Sequence, residues 1–373
     1  MKVFTLPYFA GLFFSVFIAL HLPAISFAQS DSTERVLVLP LAGYSDEQGL
    51  GVGANAAWFN MLGSGWSSSA ALFASTLYSQ TRIDYDVYNR NFFDVVYANV
   101  GGFYNRSTRS LFYGLGNNSS LSDASQYAIN DTQIFGRVGV KIFSEVVAGV
   151  GYSHRSTGID RGADPNLQQF FDRWSTNPSL SGSVTTATSV FATYDTRTPN
   201  LAPQSGSFVF TSLEQLQPRS GQDLHQQRYT LHGQHYLPIM DKDFLILLRG
   251  RYEKQWGENI PFYLQPKLGG STSIRALKNN RYIDSGNILF NIEPRYTLWS
   301  PGGAIFERIE ISFGIDAGRV FDYENIPPRP WDSYRIGYDI GLTGILAGGI
   351  PLRIDLAPGA EGTLFYVHLF YPF

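Results

Sequence analysis

Apolar and polar residues alternate with a period of two over most of this chain. Between 287 and 299, Ile288, Phe290, Ile292, Pro294 and Tyr296 fall on one face, and Asn287, Asn291, Glu293 and Arg295 fall on the other. In the next run Ile309, Ile311, Phe313, Ile315 and Ala317 oppose Glu310, Ser312, Gly314, Asp316 and Gly318, and later Leu352, Ile354 and Leu356 oppose Arg353 and Asp355. Successive side chains of a strand point to opposite faces, so each run predicts a strand with one apolar and one polar face. A soluble sandwich also alternates, but it turns its apolar faces into a shared core and its polar faces to solvent. Charges this regular, beside so many tyrosines, favour a wet lumen and a lipid-facing exterior.

Such runs cover 36–44, 50–59, 67–79, 83–88, 92–104, 132–143, 146–155, 189–197, 207–216, 228–237, 244–255, 287–299, 309–321, 334–346, 350–357 and 363–373. The pattern predicts an all-β, transmembrane antiparallel barrel of about 16 strands, an even number as single-chain bacterial barrels have. Short connections such as Tyr88-Asn89-Arg90-Asn91 read as periplasmic turns. The longer 158–183 and 257–285 segments read as extracellular loops or as loops folded into the pore. The last run carries Phe365, Val367, Leu369, Tyr371 and Phe373 on one face, which places that set toward lipid.

The first residues have a different character. Lys2 precedes an apolar stretch from 3 to 24, broken by Pro7, Gly11 and Pro23, and closing on Ser26-Phe27-Ala28. This is the form of an export signal, residues 1–28, with Gln29 starting the mature barrel domain of 29–373; a membrane anchor helix is the weaker reading. Beyond it no window reaches the roughly 18 consecutive apolar residues that a membrane helix needs.

Composition agrees with a barrel: 44% of residues are hydrophobic, 15% aromatic and only 16% charged. With Cys at 0, an exported chain has no disulfides, so strand pairing and burial must hold it together. A net charge of −3 with mixed signs leaves no basic footprint for nucleic acid.

The titratable residues form no catalytic, metal or cofactor set. His232 and His235 fall on opposite faces of one strand. Asp84 and Asp86 share a face, but ordinary lumen lining explains them. His154, with Ser153 and Ser156, lacks the spacing of a nucleophile elbow. The expectation is a protein that is not an enzyme.

Four segments carry a more specific resemblance. Tyr194-Asp195-Thr196-Arg197-Thr198-Pro199-Asn200-Leu201-Ala202-Pro203-Gln204-Ser205-Gly206-Ser207 resembles the YDTRD-x-PLxPxxGS segment of the BamA/TamA superfamily of outer-membrane barrels, the bacterial surface-antigen domain. Leu268-Gly269-Gly270-Ser271-Thr272-Ser273-Ile274-Arg275-Ala276-Leu277 resembles its GG-x(n)-(V/I)RG(F/Y) loop, with Ala276 and Leu277 in place of the usual glycine and aromatic. Gly349-Ile350-Pro351-Leu352-Arg353-Ile354-Asp355-Leu356-Ala357 is similar to its closing GPLRLDFA-like strand, and Phe112-Tyr113-Gly114-Leu115-Gly116-Asn117-Asn118 to its FYGIGN loop entrance.

The resemblance implies a loop folded back into the lumen, with Gly269, Gly270, Ile274, Ala276 and Leu277 as its motif. Arg275 would pair there with acidic partners, for which Glu293 and Asp316 are the residues, and strand alternation independently turns both carboxylates inward. The resemblance also implies that the alternating, aromatic chain end (Phe365, Val367, Leu369, Tyr371, Phe373) is read by the barrel-assembly machinery. Residues 29–35 hold no periplasmic POTRA domain of the kind that the superfamily's assembly and translocation members carry.

The resemblance thus leads to an expected role in outer-membrane biogenesis, or in translocation of protein or lipid, through a weakly zipped seam between the first and last strands. The alternatives are a passive or substrate-selective pore, a surface protein whose loops bind host or phage, and, most remotely, an enzyme. Expected partners are outer-membrane lipid and lipopolysaccharide, the assembly machinery during insertion, and a separate periplasmic subunit; no nucleic acid is among them. The mature protein should begin near Gln29, fractionate with bacterial outer membranes and shift mobility on gels when heated. N-terminal sequencing and heat-modifiability assays check this; recovery from the soluble periplasm would refute it.

Overall fold

The structure, a computed structural model, describes residues 34–45, 49–75, 81–92, 95–175, 180, 182–199, 201–218, 226–240, 243–301, 305–322, 333–346, 349–369 and 371–372. The export segment, its cleavage-like ending and Phe373 lie outside the described residues.

Within these residues the alternating runs become a 16-stranded antiparallel sheet in which neighbours in sequence are neighbours in space. Its first half comprises β1 (Arg35–Ser45), β2 (Gly49–Phe59), β3 (Ser67–Ser75), β4 (Thr81–Phe92), β5 (Val96–Phe112), β6 (Ser125–Phe143), β7 (Val146–Arg161) and β8 (Ser183–Asp195). The second half comprises β9 (Gly206–Pro218), β10 (Gln226–Met240), β11 (Phe244–Trp256), β14 (Gly286–Trp299), β15 (Phe306–Phe321), β16 (Arg335–Leu346), β17 (Ile350–Gly359) and β18 (Gly362–Leu369). The two-residue strands β12 (Lys267–Leu268) and β13 (Tyr282–Ile283) pair only with each other, inside the long connection between β11 and β14. One short helix, α1 (Phe170–Arg173), lies between β7 and β8.

β1 and β18 approach each other and bring the sheet round into a barrel. They meet far less extensively than any consecutive pair of sheet strands, and no ladder register joins them among the described residues.

The faces follow the sequence pattern. Phe290, Ile292 and Tyr296 of β14 and Ile311 and Phe313 of β15 are exposed on the outer wall, whereas Asn291, Glu293, Arg295, Ser312 and Asp316 are buried within. An outward apolar face costs nothing in lipid, and the inward polar groups find partners in the lumen.

Several expected boundaries move. Tyr88, Asn89, Arg90 and Asn91 do not form a turn: they continue β4, and Asn89 pairs with Ala98 across the ladder. Polar residues near the strand end mimic a turn signal here; Asn89 falls in phase with Ile83 and Tyr85 and is buried beside Gly65 of the β2–β3 connection. β5, β6 and β7 also run past the predicted ends, to Phe112, from Ser125 and to Arg161. In these extensions the outer positions stop being apolar, so alternation no longer marks the strand.

The longest connections, 113–124, 162–182, 257–285 and 322–334, all leave the same rim. At the long-loop end the lumen is filled by an apolar core. Phe112, Tyr127, Ile129 and Ile159 on the inner faces of β5, β6 and β7 pack with Phe170 of α1 and Phe262 of the 257–285 loop. Phe112 and Phe262 are in ring contact at 4.5 Å between centroids.

Adjacent residues on β8 test the assignment of faces. Val190 is exposed outward, while Ser189 faces inward and pairs across the ladder with Glu214. Val190→Arg should destabilise the folded barrel by about 2–4 kcal/mol near mid-membrane, and Ser189→Arg by under about 1 kcal/mol. Urea titration of folding into lipid vesicles measures both, and equal losses would refute the assigned faces.

Candidate functional site

The 257–285 loop leaves β11 at Trp256, turns down into the lumen, and returns to β14 at Gly286. Its lowest part is a tight local fold. Gly269 and Gly270 take φ of 106° and 90°, a region where a side chain would be strained. The Gly270 N–H donates to the Leu277 carbonyl at 2.9 Å, and the Ser273 N–H donates to the Gly270 carbonyl at 3.0 Å. Ile274 is fully buried against Leu268, Leu289 and Val320, and Leu277 packs at the edge of this cluster.

Arg275 projects from this fold into a ring of charges. Its Nη1 lies 2.6 Å from Glu293, its Nη2 lies 2.7 Å from Asp316 and 2.8 Å from Asp339, and all four side chains are 0% exposed. The Arg275 backbone N–H and Nε both donate to Asp316 Oδ2 at 2.9 Å. Asp316 therefore grips the backbone and side chain of one residue.

The wall is shaped for this guanidinium. Ile292 pairs with Ile315, which sets Glu293 across from Gly314, and Gly314 in turn pairs with Asp339. A Cβ on Gly314 would stand 2.3 Å from Arg275 Nη2 and 1.8 Å from Asp339 Oδ1, so glycine leaves the space that the arginine occupies.

Ala276 stands where the related loop motif has glycine. It is buried and is not among the residues with positive φ, so its backbone needs no glycine. The room is provided from the wall instead: a Cβ on Gly337 would come within 2.8 Å of the Ala276 methyl.

A second arginine extends the ring. Arg353 of β17 pairs with Glu293 at 2.6 Å, Asp355 at 2.6 Å and Asp339 at 3.5 Å. It lies over Gly341, where a Cβ would be 2.6 Å from its Nη2. Arg295 reaches Glu293 at 2.7 Å, so one carboxylate serves three arginines. Arg249 donates to the Thr272 carbonyl at 2.9 Å, to Asn291 at 3.1 Å and to His232 at 3.0 Å, and Asn291 passes the contact to Asp316 at 2.7 Å.

Burial alone would disfavour the charge on Arg275. The carboxylates of Glu293, Asp316 and Asp339 outweigh it and hold this guanidinium above its ordinary range.

Glu293, Asp316 and Arg275 are thus brought together. Sequence reading missed Asp339, Arg295 and Arg353 as members of the same ring. Arg353 and Asp355 had a signal, since both stand on the polar face of their run, but alternation does not say which inward residues meet across the lumen. His232 and His235 lie on opposite faces: His232 joins the Arg249 network, and His235 meets Ser207 at 2.8 Å on the outer side. Asp84 and Asp86 line the lumen beside Arg82 and Asn99.

One placement is corrected. Phe365 is exposed outward, but Tyr371 does not share that face. Its ring lies 3.8 Å from the Arg295 guanidinium and its hydroxyl donates to Glu310 at 2.6 Å, both inward groups. β18 ends at Leu369, so the period of two does not carry on to 371. A cation over the ring and a buried carboxylate at its tip draw this tyrosine inside.

A transmembrane-type β-barrel whose lumen holds its own arginine-anchored loop is the class that this fold and site define. The chain belongs to the Omp85 superfamily of outer-membrane barrels: the Omp85 superfamily domain matches residues 60–360. Two solved structures share the fold. One is BamA from Haemophilus ducreyi lacking POTRA domains 1-3, with a TM-score of 0.57 and 15% identity, covering 91% of this chain and 69% of that one. The other is CdiB from Escherichia coli, with a TM-score of 0.57 and 11% identity, covering 90% of this chain and 60% of that one. This chain therefore spans less than two thirds of the CdiB chain.

Arg275→Glu should expel the 257–285 loop, because it sets like charges together in a buried site. The expected loss is about 3–5 kcal/mol, seen as a lower melting temperature and faster proteolysis of the loop. Double-mutant cycles of Arg275→Gln with Glu293→Gln and with Asp316→Asn should give couplings of at least about 0.5 kcal/mol. Additive losses would mean that the contacts contribute nothing as pairs.

Proposed function

We propose that this barrel works in outer-membrane biogenesis, or in the translocation of protein or lipid into or across the outer membrane, with the Arg275 ring locking the loop in the lumen. The observation that carries this reading is the seam. Fifteen pairs of neighbouring strands are joined by ladders, whereas among the described residues β1 and β18 meet narrowly and without one. A strand edge that is not fully paired is a template for an incoming strand.

The filled lumen supports the same reading. The 257–285 loop and the α1 segment pack an apolar core across the long-loop end, which leaves poor passage for a solute. Membership of the Omp85 superfamily supports the same reading. In this reading Phe365 and Val367 on the outer side of β18 form part of the insertion signal read by the assembly machinery, and a separate periplasmic subunit and lipopolysaccharide are the partners to seek.

Purified protein in planar bilayers separates this reading from a pore. Small, erratic openings are expected, and Arg275→Glu should turn them into larger and longer ones. Large, steady, solute-selective currents from the unmodified chain would refute the reading.

A further inference from the structure

The lumen loop also touches the strand that borders the seam. The Tyr366 hydroxyl of β18 donates to the Arg275 carbonyl at 3.0 Å. At the long-loop rim, Glu361 in the turn between β17 and β18 accepts from the Lys278 N–H at 3.1 Å and from Arg281 Nε at 2.6 Å. The Glu361 and Arg281 side chains are only 5% and 4% exposed. Between these points the loop lies flat on the hairpin, since a Cβ on Gly359 would be 2.5 Å from the Ala276 carbonyl oxygen. Arg281 is itself held across the mouth, donating to Ser119 Oγ at 3.0 Å and to the Ser119 carbonyl at 2.9 Å. Past the end of β18, Tyr371 packs on Arg295 of the charge ring.

We infer that the 257–285 loop is an internal clamp on the β17–β18 hairpin, with Tyr366 and Glu361 as its two grips, so that the β18 side of the seam cannot move freely while the loop is seated. The charge ring fixes the loop to β14, β15 and β16, each of which is paired with a strand on both sides. The loop then carries that rigidity to β18, whose ladder with β17 is its one registered pairing among the described residues. Unseating the loop removes both grips together, which couples emptying of the lumen to loosening of the seam strand. This clamp does not depend on what the barrel transports.

Hydrogen–deuterium exchange of the purified full barrel in detergent or lipid nanodiscs tests it without any client. Tyr366→Phe with Glu361→Gln should speed exchange of the 362–369 amides by about fivefold or more, as loss of two local hydrogen-bonded contacts does. Exchange across β14–β15 should stay as it was. The charge swap Glu361→Arg with Arg281→Glu should keep more protection in 362–369 than Glu361→Arg alone. The clamp is refuted if exchange of 362–369 is unchanged, if every strand loosens equally, or if the swap protects no better than the single change. None of these outcomes bears on the translocation reading, which the bilayer currents decide separately.

Discussion

The charges of the Arg275 ring must pair with one another, because burial leaves them no solvent. Glu293 is the clearest case: fully buried, it accepts from Arg275, Arg295 and Arg353, while Asp316, Asp339 and Asp355 share two of the same guanidinium groups. Such a set gains little over an apolar core of the same volume, because desolvating each group is costly. What it provides is definition. A displaced loop would take Arg275 away from Glu293, Asp316 and Asp339 and leave those buried carboxylates short of a cation.

The wall makes that position available through what it lacks. Gly314 and Gly341 each lie beneath a guanidinium, and Gly337 lies beneath the Ala276 methyl. A side chain at Gly314 or Gly337 would push the loop off the sheet, and one at Gly341 would displace Arg353 from the ring. The strands thus act as a mould: carboxylates give the charge and glycines give the depth. The apolar cluster of Phe112, Phe170 and Phe262 then closes the long-loop end over the seated loop.

The barrel is unequal around its circumference. On the side of β14 to β17 the sheet is backed from within by the loop. At β1 and β18 its continuity rests on a narrow approach. A fold that concentrates its interior contacts on one arc and leaves a thin seam beside it is suited to local opening without global unfolding.

The sequence by itself determined the strands, their faces and the barrel, because a period of two in lipid is a local rule that each strand obeys alone. It also placed Glu293 and Asp316 inward and marked Arg275 through the loop's resemblance to a known motif. It did not reveal Asp339, Arg295 or Arg353 as partners, since contacts across a lumen depend on register and shear, which no single strand encodes. It misread Asn89, whose polarity is the same in a turn as at a strand end covered by a neighbouring turn. It also placed Tyr371 outside, because the period of two was carried past the end of β18. Only the folded barrel decides that matter: Arg295 and Glu310, distant in sequence, together make the interior the better site for one aromatic ring.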